Sequence, residues 1–115
     1  MSECLFCKFV SKEIETEIVF ENDKVLAFND LYPQAKKHIL FIHKKHTTNI
    51  NELSELDSNQ LEDVFTAIRE YTNLNNLSKN GFRVVNNCGS QAGQTIFHTH
   101  FHVLGGEPLG HFGAQ

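Results

Sequence analysis

The sequence has no tryptophan, two prolines and three cysteines among its 115 residues. An odd number of cysteines, with no basic-then-apolar leader at the N-terminus, argues against a disulfide framework and leaves thiols or metal ligands. No apolar run approaches the length that spans a membrane. Acidic residues outnumber basic ones by 14 to 10, which argues against a nucleic-acid-binding surface. We therefore expect one cytosolic domain over residues 1–115, with no membrane and no nucleic-acid polymer among its partners.

Histidine, by contrast, occurs in a pattern. His98, His100 and His102 occupy alternate positions of one apolar run. In an extended strand these imidazoles share one face, about 6–7 Å apart, while the residues between them share the other. Imidazoles this close do not all hold protons comfortably at neutral pH. The run therefore predicts a site for one small substrate or two adjacent sites, with a His-x-His metal site and plain solvent exposure as alternatives.

The remaining patterns predict an α+β fold. Short β-prone runs are separated by turn residues, and one long segment has helical periodicity. The predicted elements are a short N-terminal helix over 4–10, strands over 18–21, 24–28, 38–42, 81–87 and 98–104, and one long helix over about 58–74. Five strands, mostly in hairpin order, indicate an antiparallel sheet covered by that helix.

The long helix has both a start signal and an apolar stripe. Asp57 and Gln60 have the spacing of a capping box. Tyr71 and Leu74 broaden the stripe toward the C-terminal end, and an exposed sheet edge also needs cover, so we expect a partner there. The residues predicted to face the sheet are Leu61, Val64, Phe65, Ile68 and Thr72.

Gly93, Gln94 and Thr95 directly precede the histidine run. This segment offers unhindered backbone N–H groups, an amide and a hydroxyl, which can hold phosphate oxygens without a net positive charge. Alone it would be an ordinary loop. Beside the histidines it suggests phosphorus chemistry.

Cys4 and Cys7 lie three residues apart, a spacing that lets both sulfurs face one metal ion. They would supply half of a tetrahedral zinc site, and the other ligands must come from distant histidines, with His46 and His98 as candidates. A thioredoxin-like redox pair and two small buried residues are the alternatives.

The histidine run resembles the histidine triad of the HIT superfamily, and the similarity covers nearly the whole chain. Leu104-Gly105-Gly106 after the third histidine resembles the Hint branch of nucleoside phosphoramidases, whereas the Fhit-like branch would show Pro-Arg there. The resemblance implies a HIT-like fold and a homodimeric purine-nucleotide-binding hydrolase. Further matching segments are 28–30, 33–35, His38, 44–46, 84–87 and 92–95.

The resemblance also implies a role for each matching residue. His100 matches a nucleophile that attacks the α-phosphorus and forms a nucleotidyl-histidine, which requires one unprotonated ring nitrogen and the other fixed as a donor. Asp30 matches the carboxylate that binds the ribose hydroxyls, and His38 supports the site from behind. The phosphate ligands would be Asn87, Gly93, Gln94, Thr95 and His102, and the base would lie against Phe6, Phe9, Phe28 and Leu31.

The implied reaction is cleavage of the P–N bond of adenosine or other purine nucleoside phosphoramidates, or of acyl-adenylates, with release of AMP and no organic cofactor. One alternative is a regulatory nucleotide-binding or protein-interaction module with incidental turnover. Another makes the three strand histidines a catalytic zinc site.

In zinc-binding members that this chain resembles, two cysteines, a histidine and the first triad histidine hold the ion, which implies structural zinc on Cys4, Cys7, His46 and His98. His43 stands where such relatives usually have proline, and we expect it to be exposed. The resemblance further implies a two-fold dimer in which the long helices and the 82–87 strands meet. Residues 107–115 carry no tryptophan or clear structural pattern.

Overall fold

The structure is a computed structural model that describes residues 3–56 and 59–112. Its strands form one antiparallel sheet in the order β1-β2-β3-β5-β4, which confirms the predicted α+β class. None of the helices among these residues has the length and apolar character needed to cross a bilayer. The elements are α1 (Leu5–Val10), β1 (Ile18–Glu21), β2 (Val25–Asn29), β3 (Lys37–His43), α2 (Ile50–Leu56), α3 (Gln60–Leu74), α4 (Leu77–Asn80), β4 (Phe82–Val85) and β5 (His100–Gly105).

The sheet is covered on both faces, and this explains the apolar sequence of β3, which is buried from its second residue onward. Helix α3 packs on one face over residues such as Phe41 and Phe101. Helix α1 covers part of the other face with Phe6 and Phe9. The side chains that alternate with Phe101 therefore point toward α1.

Strand β5 lies between β3 and β4, with His100 opposite Ile42 and His102 opposite Leu40. The strand begins at His100 rather than at the predicted His98. The preceding residues leave the ladder because they bond elsewhere: Thr99 N donates to Thr47 O at 2.8 Å, and the His98 ring bonds the main chain of His43.

The apolar stripe of α3 faces the sheet only in part. Val64 and Ile68 are buried as predicted, but Leu61 is 38% exposed and Phe65 is 47% exposed. Tyr71, predicted to broaden the stripe toward a partner, is instead 3% exposed and packs on Phe41. The helix docks with its face rotated toward Ala67 and Tyr71, so part of the apolar stripe remains on the outside.

The predicted capping box at the start of this helix is wrong. Helix α3 begins at Gln60, with Asn59 as its N-cap residue, so Gln60 is the first helical residue rather than the third. Asp57 lies outside the described residues. A reciprocal cap occurs instead before α2, which the sequence patterns missed: Glu52 N donates to Asn49 Oδ1 at 3.0 Å, and the Glu52 carboxylate accepts from Thr48 N.

Candidate active site

The three histidines of the alternating run all lie on the α1 side of the sheet. The Phe6 ring centroid is 5.9 Å from that of His98 and 5.1 Å from that of His100. The His100 and His102 centroids are 5.2 Å apart. The alternation of the sequence thus correctly predicted a shared face, although His98 precedes the strand.

His100 has one ring nitrogen fixed and the other available. Its Nδ1 lies 2.8 Å from the carbonyl oxygen of His98, and because a carbonyl only accepts, Nδ1 carries the proton. The Nε2 lone pair is therefore free of that proton. Burial lowers the pKa of His100, while the bond to His98 O and the Asp30 carboxylate oppose the shift. At neutral pH this imidazole is a neutral base or nucleophile.

His102 is oriented by a chain of hydrogen bonds. Gln34 N donates to His38 Nδ1 at 3.0 Å, so the remaining proton of neutral His38 is on Nε2. His38 Nε2 lies 2.8 Å from His102 Nδ1 and donates to it. His102 consequently carries its own proton on Nε2, on the opposite side of its ring, where it can donate to a ligand.

The crowded imidazoles remain neutral because the site is desolvated. Burial, followed by the neighbouring His100 and His38, lowers the pKa of His102 to about 4 against the opposing effect of Asp30. Burial also lowers the pKa of His38, again opposed by Asp30. The hydrogen-bond assignments above, which need neutral rings, are therefore consistent with neutral pH.

His100 and His102 open into a cavity of about 370 Å³, here called the nucleotide cavity after the ligand that the family resemblance implies. It gathers ten of the residues that the sequence predicted for the site. These are Phe6, Phe9, Phe28, Asp30, Leu31, Asn87, Gly93, Thr95, His100 and His102. Sequence reasoning missed Leu5, Thr16, Asn29, Tyr32, Leu40 and Ile96, which also line the cavity and which no local pattern distinguishes from core or loop residues.

The cavity combines an aromatic wall with polar side chains. The Phe6 and Phe28 centroids are 5.2 Å apart and those of Phe9 and Phe28 5.0 Å apart, both with the edge-to-face geometry that aromatic rings favour. Asp30 stands at the rim, where its Oδ1 accepts from Tyr32 N at 2.8 Å and its Oδ2 lies 3.5 Å from His38 Nε2. Such a site can enclose a flat apolar ring beside hydroxyl and phosphate groups.

Gln94, which the sequence predicted as a phosphate ligand, does not line this cavity. Its side chain braces the loop, accepting from Gly89 N at 2.8 Å and donating to Thr48 O at 2.8 Å and to Ile96 O at 3.2 Å. Its backbone N–H donates to Gly89 O. The residue therefore holds Gly93 and Thr95 in place, and Gly93 adopts a φ of +97° that glycine tolerates best.

A second constellation, here called the Cys/His cluster, lies beside the first. It joins Cys4, Cys7, His46 and His98, whose candidate ligand atoms all lie within 4.8 Å of one another. His98 Nδ1 is 3.4 Å from Cys4 Sγ, 3.5 Å from Cys7 Sγ and 3.1 Å from His46 Nδ1. Cys7 Sγ is 3.3 Å from His46 Nδ1. A tetrahedral zinc ion requires about 3.6 Å between sulfur and nitrogen and about 3.4 Å between nitrogens, so the donor set fits such an ion.

The outer nitrogen of His98 fixes this arrangement. Nε2 donates to the carbonyl oxygen of His43 at 3.0 Å, which turns the Nδ1 lone pair toward the two sulfurs. Burial of the ring lowers the pKa of His98 to about 4, and the neighbouring His46 adds to this shift. The hydrogen bond to the His43 carbonyl opposes it. A neutral imidazole is the form that binds a metal.

His98, His100 and His102 do not together form a metal-ligand group within residues 3–56 and 59–112, which argues against the catalytic zinc alternative. Asp30, His38 and His102 are also close together, but the 2.8 Å between the two imidazole nitrogens is a hydrogen-bond distance.

His43 is buried, contrary to the expected exposure. It is 7% exposed, and its Nε2 lies 2.9 Å from Asp63 Oδ2 on α3. Its Nδ1 accepts from Lys45 N at 3.1 Å. The ring thus connects β3 to α3, whereas the carbonyl group of His43 accepts the hydrogen bond from His98.

Comparison with known proteins agrees with this geometry. A sequence model of the HIT domain matches residues 11–109. The purine nucleoside phosphoramidase of Escherichia coli strain K12 is 34% identical over 108 residues, which cover 94% of this chain and 91% of that protein.

Solved structures give the same result. A histidine triad protein from Clostridium difficile has a TM-score of 0.92 and 38% identity over 97% of both chains. A HIT family hydrolase from Legionella pneumophila has a TM-score of 0.87 and 40% identity over 92% of this chain and 95% of its own. The chain therefore belongs to the HIT family.

Proposed function

We propose that this chain is a hydrolase that cleaves the P–N bond of purine nucleoside phosphoramidates, or the corresponding bond of acyl-adenylates, through a nucleotidyl-histidine intermediate. The observation that carries the proposal is His100, whose Nδ1–H is held by His98 O while the ring lines the nucleotide cavity beside His102. A similar protein, from Escherichia coli, is a purine nucleoside phosphoramidase.

In the first step, the Nε2 lone pair of His100 attacks the α-phosphorus, and the P–N bond breaks. The substrate nitrogen, protonated from solvent, keeps the bonding electrons and departs as a neutral amine. His102 donates its Nε2–H to a phosphate oxygen, and Asn87 and Thr95 line the same cavity. In the second step a water oxygen attacks phosphorus and gives up one proton to solvent. The Nε2–P bond breaks, His100 leaves as the neutral imidazole, and AMP is released when adenosine is the nucleoside.

The walls of the cavity would hold the nucleoside. The phenylalanine rings would stack on the base, and the Asp30 carboxylate would accept hydrogen bonds from the ribose hydroxyls. The Oδ2 atom of Asp30 is also close to His38, so the same carboxylate would link ribose binding to the orientation of His102.

We propose that Cys4, Cys7, His46 and His98 hold one structural zinc ion. The ion would connect the start of α1, where Cys4 and Cys7 lie, to His46 after β3 and to His98 directly before β5. His100 is not a ligand, so its lone pair remains available for the substrate. Since both sulfurs must stay reduced to bind the ion, we propose the cytoplasm as the compartment.

We further propose a two-fold homodimer. Strand β4 is an edge strand, and its Phe82 and Val84 are 36% and 37% exposed. Phe65 and Leu74 are exposed on α3. A two-fold contact through these elements would join the same apolar surface of both chains, and we expect it to bury more than about 1,000 Å² in total. Light scattering at micromolar concentration should give twice the chain mass, and Phe65→Glu should shift it toward the monomer.

The test of the reaction is rapid mixing with an adenosine phosphoramidate that carries a fluorescent amine. We expect a burst of one amine per His100, followed by slower turnover, and an adenylylated His100 peptide in acid-quenched samples. His100→Ala should lose turnover by more than about 1,000-fold with an unchanged circular dichroism spectrum. The matched control is His111→Ala, since His111 is exposed and outside the nucleotide cavity.

Wild-type turnover in His100→Ala would overturn the assignment of the nucleophile. Equilibrium binding of AMP without any release of amine would instead support a regulatory binding module.

A further inference from the structure

A second cavity adjoins the nucleotide cavity at its histidine end. It encloses about 280 Å³ and shares His102 and Asn87 with the nucleotide cavity, whereas His100 does not line it. We call this second cavity the Leu104 groove. Its lining residues are Gln34, His38, Val85, Asn87, His102 and Leu104.

The register of the sheet gives the direction from one cavity to the other. Along β5, His100 lines the nucleotide cavity, His102 lines both cavities, and Leu104 lines the groove. Strand β3 repeats this order, because Leu40, opposite His102, lines the nucleotide cavity and His38, opposite Leu104, lines the groove. The groove therefore continues the same face of the sheet in the direction from His100 to Leu104.

The position of the leaving group follows from the geometry of attack, so this inference rests on the proposed function. His100 Nδ1 bonds the carbonyl oxygen of His98, and the attacking Nε2 therefore faces away from that carbonyl group. The phosphate would lie between this Nε2 and the Nε2–H of His102. In a displacement at phosphorus the attacking and leaving atoms are roughly in line. The leaving group would then lie beyond the phosphate as seen from His100, which is where the Leu104 groove begins.

The lining of the groove suits an apolar group better than an ion. It includes no Asp, Glu, Lys or Arg. Leu104 is 2% exposed and Val85 is half-buried, and the one N–H of neutral His38 is already donated to His102. An apolar chain gains free energy on such a surface, whereas an ammonium group would lose water without meeting a negative charge.

We infer that the Leu104 groove holds the leaving group of the substrate and selects apolar amines, with Val85 as a specificity-determining residue. From His102 to Leu104 the strand rises about 6–7 Å, a distance that a short alkyl chain can follow. An apolar chain end should be preferred over an ammonium end of the same length by about tenfold in kcat/KM. This is the lower end of what apolar pockets achieve, because exposed Gln34 leaves the groove partly open to water.

The preference should appear in the first step of the reaction alone. Amine release comes before hydrolysis of the nucleotidyl-histidine, and that intermediate no longer contains the amine. The rate of the amine burst and kcat/KM should therefore differ between leaving groups, whereas the slower turnover that follows the burst should be the same for all of them.

The experiment compares the adenosine 5′-phosphoramidates of hexylamine and of 1,5-diaminopentane. These amines have the same length and differ only in a terminal methyl group against a terminal ammonium group. Val85→Asp places a carboxylate in the groove and should lower the ratio of kcat/KM, hexyl to aminopentyl, from about ten to about one or below. Val85→Thr keeps the shape of the side chain and should lower the ratio by about twofold. Because both substrates carry the same nucleotide, any effect on phosphate binding cancels in the ratio.

The matched control is Leu61→Asp, which makes the same kind of change on α3, on the other face of the sheet. Leu61 is 38% exposed and lines neither the nucleotide cavity nor the Leu104 groove. This variant should keep the wild-type ratio. If Val85→Asp does not fold, Val85→Thr decides the question.

A wild-type ratio below two, or a ratio that the Val85 variants leave unchanged, would overturn the inference while leaving the proposed reaction intact. An equal fall of the ratio in Leu61→Asp would overturn it as well. If neither phosphoramidate is hydrolysed, the proposed function fails by itself, and the ratio of their dissociation constants, measured by calorimetry, then decides the inference. Failure of both compounds to bind at millimolar concentration would also overturn it.

Discussion

Two constellations on one face of the sheet use the same residue type in opposite ways. In the Cys/His cluster the His46 and His98 ring nitrogens converge, with their Nδ1 atoms 3.1 Å apart beside the sulfurs. At the nucleotide cavity, His102 is linked to His38 through a 2.8 Å hydrogen bond in which one ring nitrogen donates to the other. In the first arrangement the ring lone pairs point toward a common centre. In the second, His38 donates its N–H to His102, and His102 has its own N–H on the far side of its ring.

The difference comes from the partner of the second ring nitrogen. His98 donates Nε2–H to a carbonyl group, so its lone pair faces inward. His38 accepts a backbone N–H at Nδ1, so it must donate from Nε2, and His102 in turn presents a donor to the cavity. When a main-chain carbonyl accepts the N–H of one ring nitrogen, the other nitrogen keeps a lone pair that can bind a metal. When a main-chain N–H donates to one ring nitrogen, the other nitrogen carries a proton and can donate it in a hydrogen bond.

The largest expected effect follows from removing the converging sulfurs. Cys4→Ser/Cys7→Ser should abolish the zinc content, expected to be one ion per chain in protein purified without chelator. It should lower the free energy of unfolding by about 3–4 kcal/mol when free zinc is 100 to 1,000 times its dissociation constant. Elemental analysis and urea denaturation measure the two effects.

The matched control for this pair is Cys88→Ser, because Cys88 is exposed and not in the cluster. Zinc retained in the double variant would contradict the proposed site.

The next effect concerns the hydrogen-bonded pair of His38 and His102. His38→Ala should lower kcat/KM for a phosphoramidate about 10- to 100-fold, because His102 would lose the donor that keeps its own proton on Nε2. Zinc content should not change, since His38 is not in the Cys/His cluster. His38→Gln should recover part of the loss, because its amide can donate to His102 Nδ1, and equal activities of the two variants would argue against this role.

The pH dependence of the free energy of unfolding should reflect the neutral state of His102 in the folded chain. The pKa of His102 in the folded chain is about 4, below its ordinary value of 6.5. Below pH 6.5 the unfolded chain therefore binds a proton that the folded chain does not. The stability that neutral His102 contributes is complete above pH 6.5 and is lost as the pH falls to 4, by on the order of 2 kcal/mol.

Urea denaturation at several pH values should show this slope in the wild type and a flatter one in His102→Gln. The exposed His111→Gln variant should keep the wild-type slope. Identical slopes for wild type and His102→Gln would show that His102 does not cause the pH dependence.

The smallest effect concerns the tie between β3 and α3. Asp63→Asn removes the charge that faces His43 but keeps an acceptor oxygen, so the free energy of unfolding should fall by only about 0.5–1 kcal/mol. Zinc content should stay constant, because His98 bonds the carbonyl of His43 and not its ring. Thermal denaturation of Asp63→Asn beside Glu62→Gln measures this effect, and loss of zinc from Asp63→Asn would show that the tie also positions the cluster.

Local patterns predicted much of the site because its geometry is local. Alternation in one strand places His100 and His102 on the same face, and a spacing of three on a short helix turns Cys4 and Cys7 to the same side. The contact that fixes the His100 ring is local as well, because the carbonyl group bonded to its Nδ1 belongs to His98, two residues away.

Features that depend on docking were predicted poorly. The exposure of Phe65 depends on how α3 rotates against the sheet, and the burial of His43 depends on Asp63, twenty residues away. Gln94 looked like a ligand because its amide can bind phosphate, but three main-chain groups already engage that amide. Composition and spacing do not show which polar groups the folded chain has already satisfied.

Helix α1 has only six residues, far fewer than an isolated helix needs in water. Its Cys7 and its N-cap residue Cys4 belong to the Cys/His cluster, and Phe6 and Phe9 belong to the wall of the nucleotide cavity. The wall is therefore complete only while α1 is docked, and an ion and a nucleotide would each favour that docked state. Thermodynamic reciprocity then requires that each ligand raises the affinity for the other by the same factor. A shortage of zinc would therefore weaken nucleotide binding.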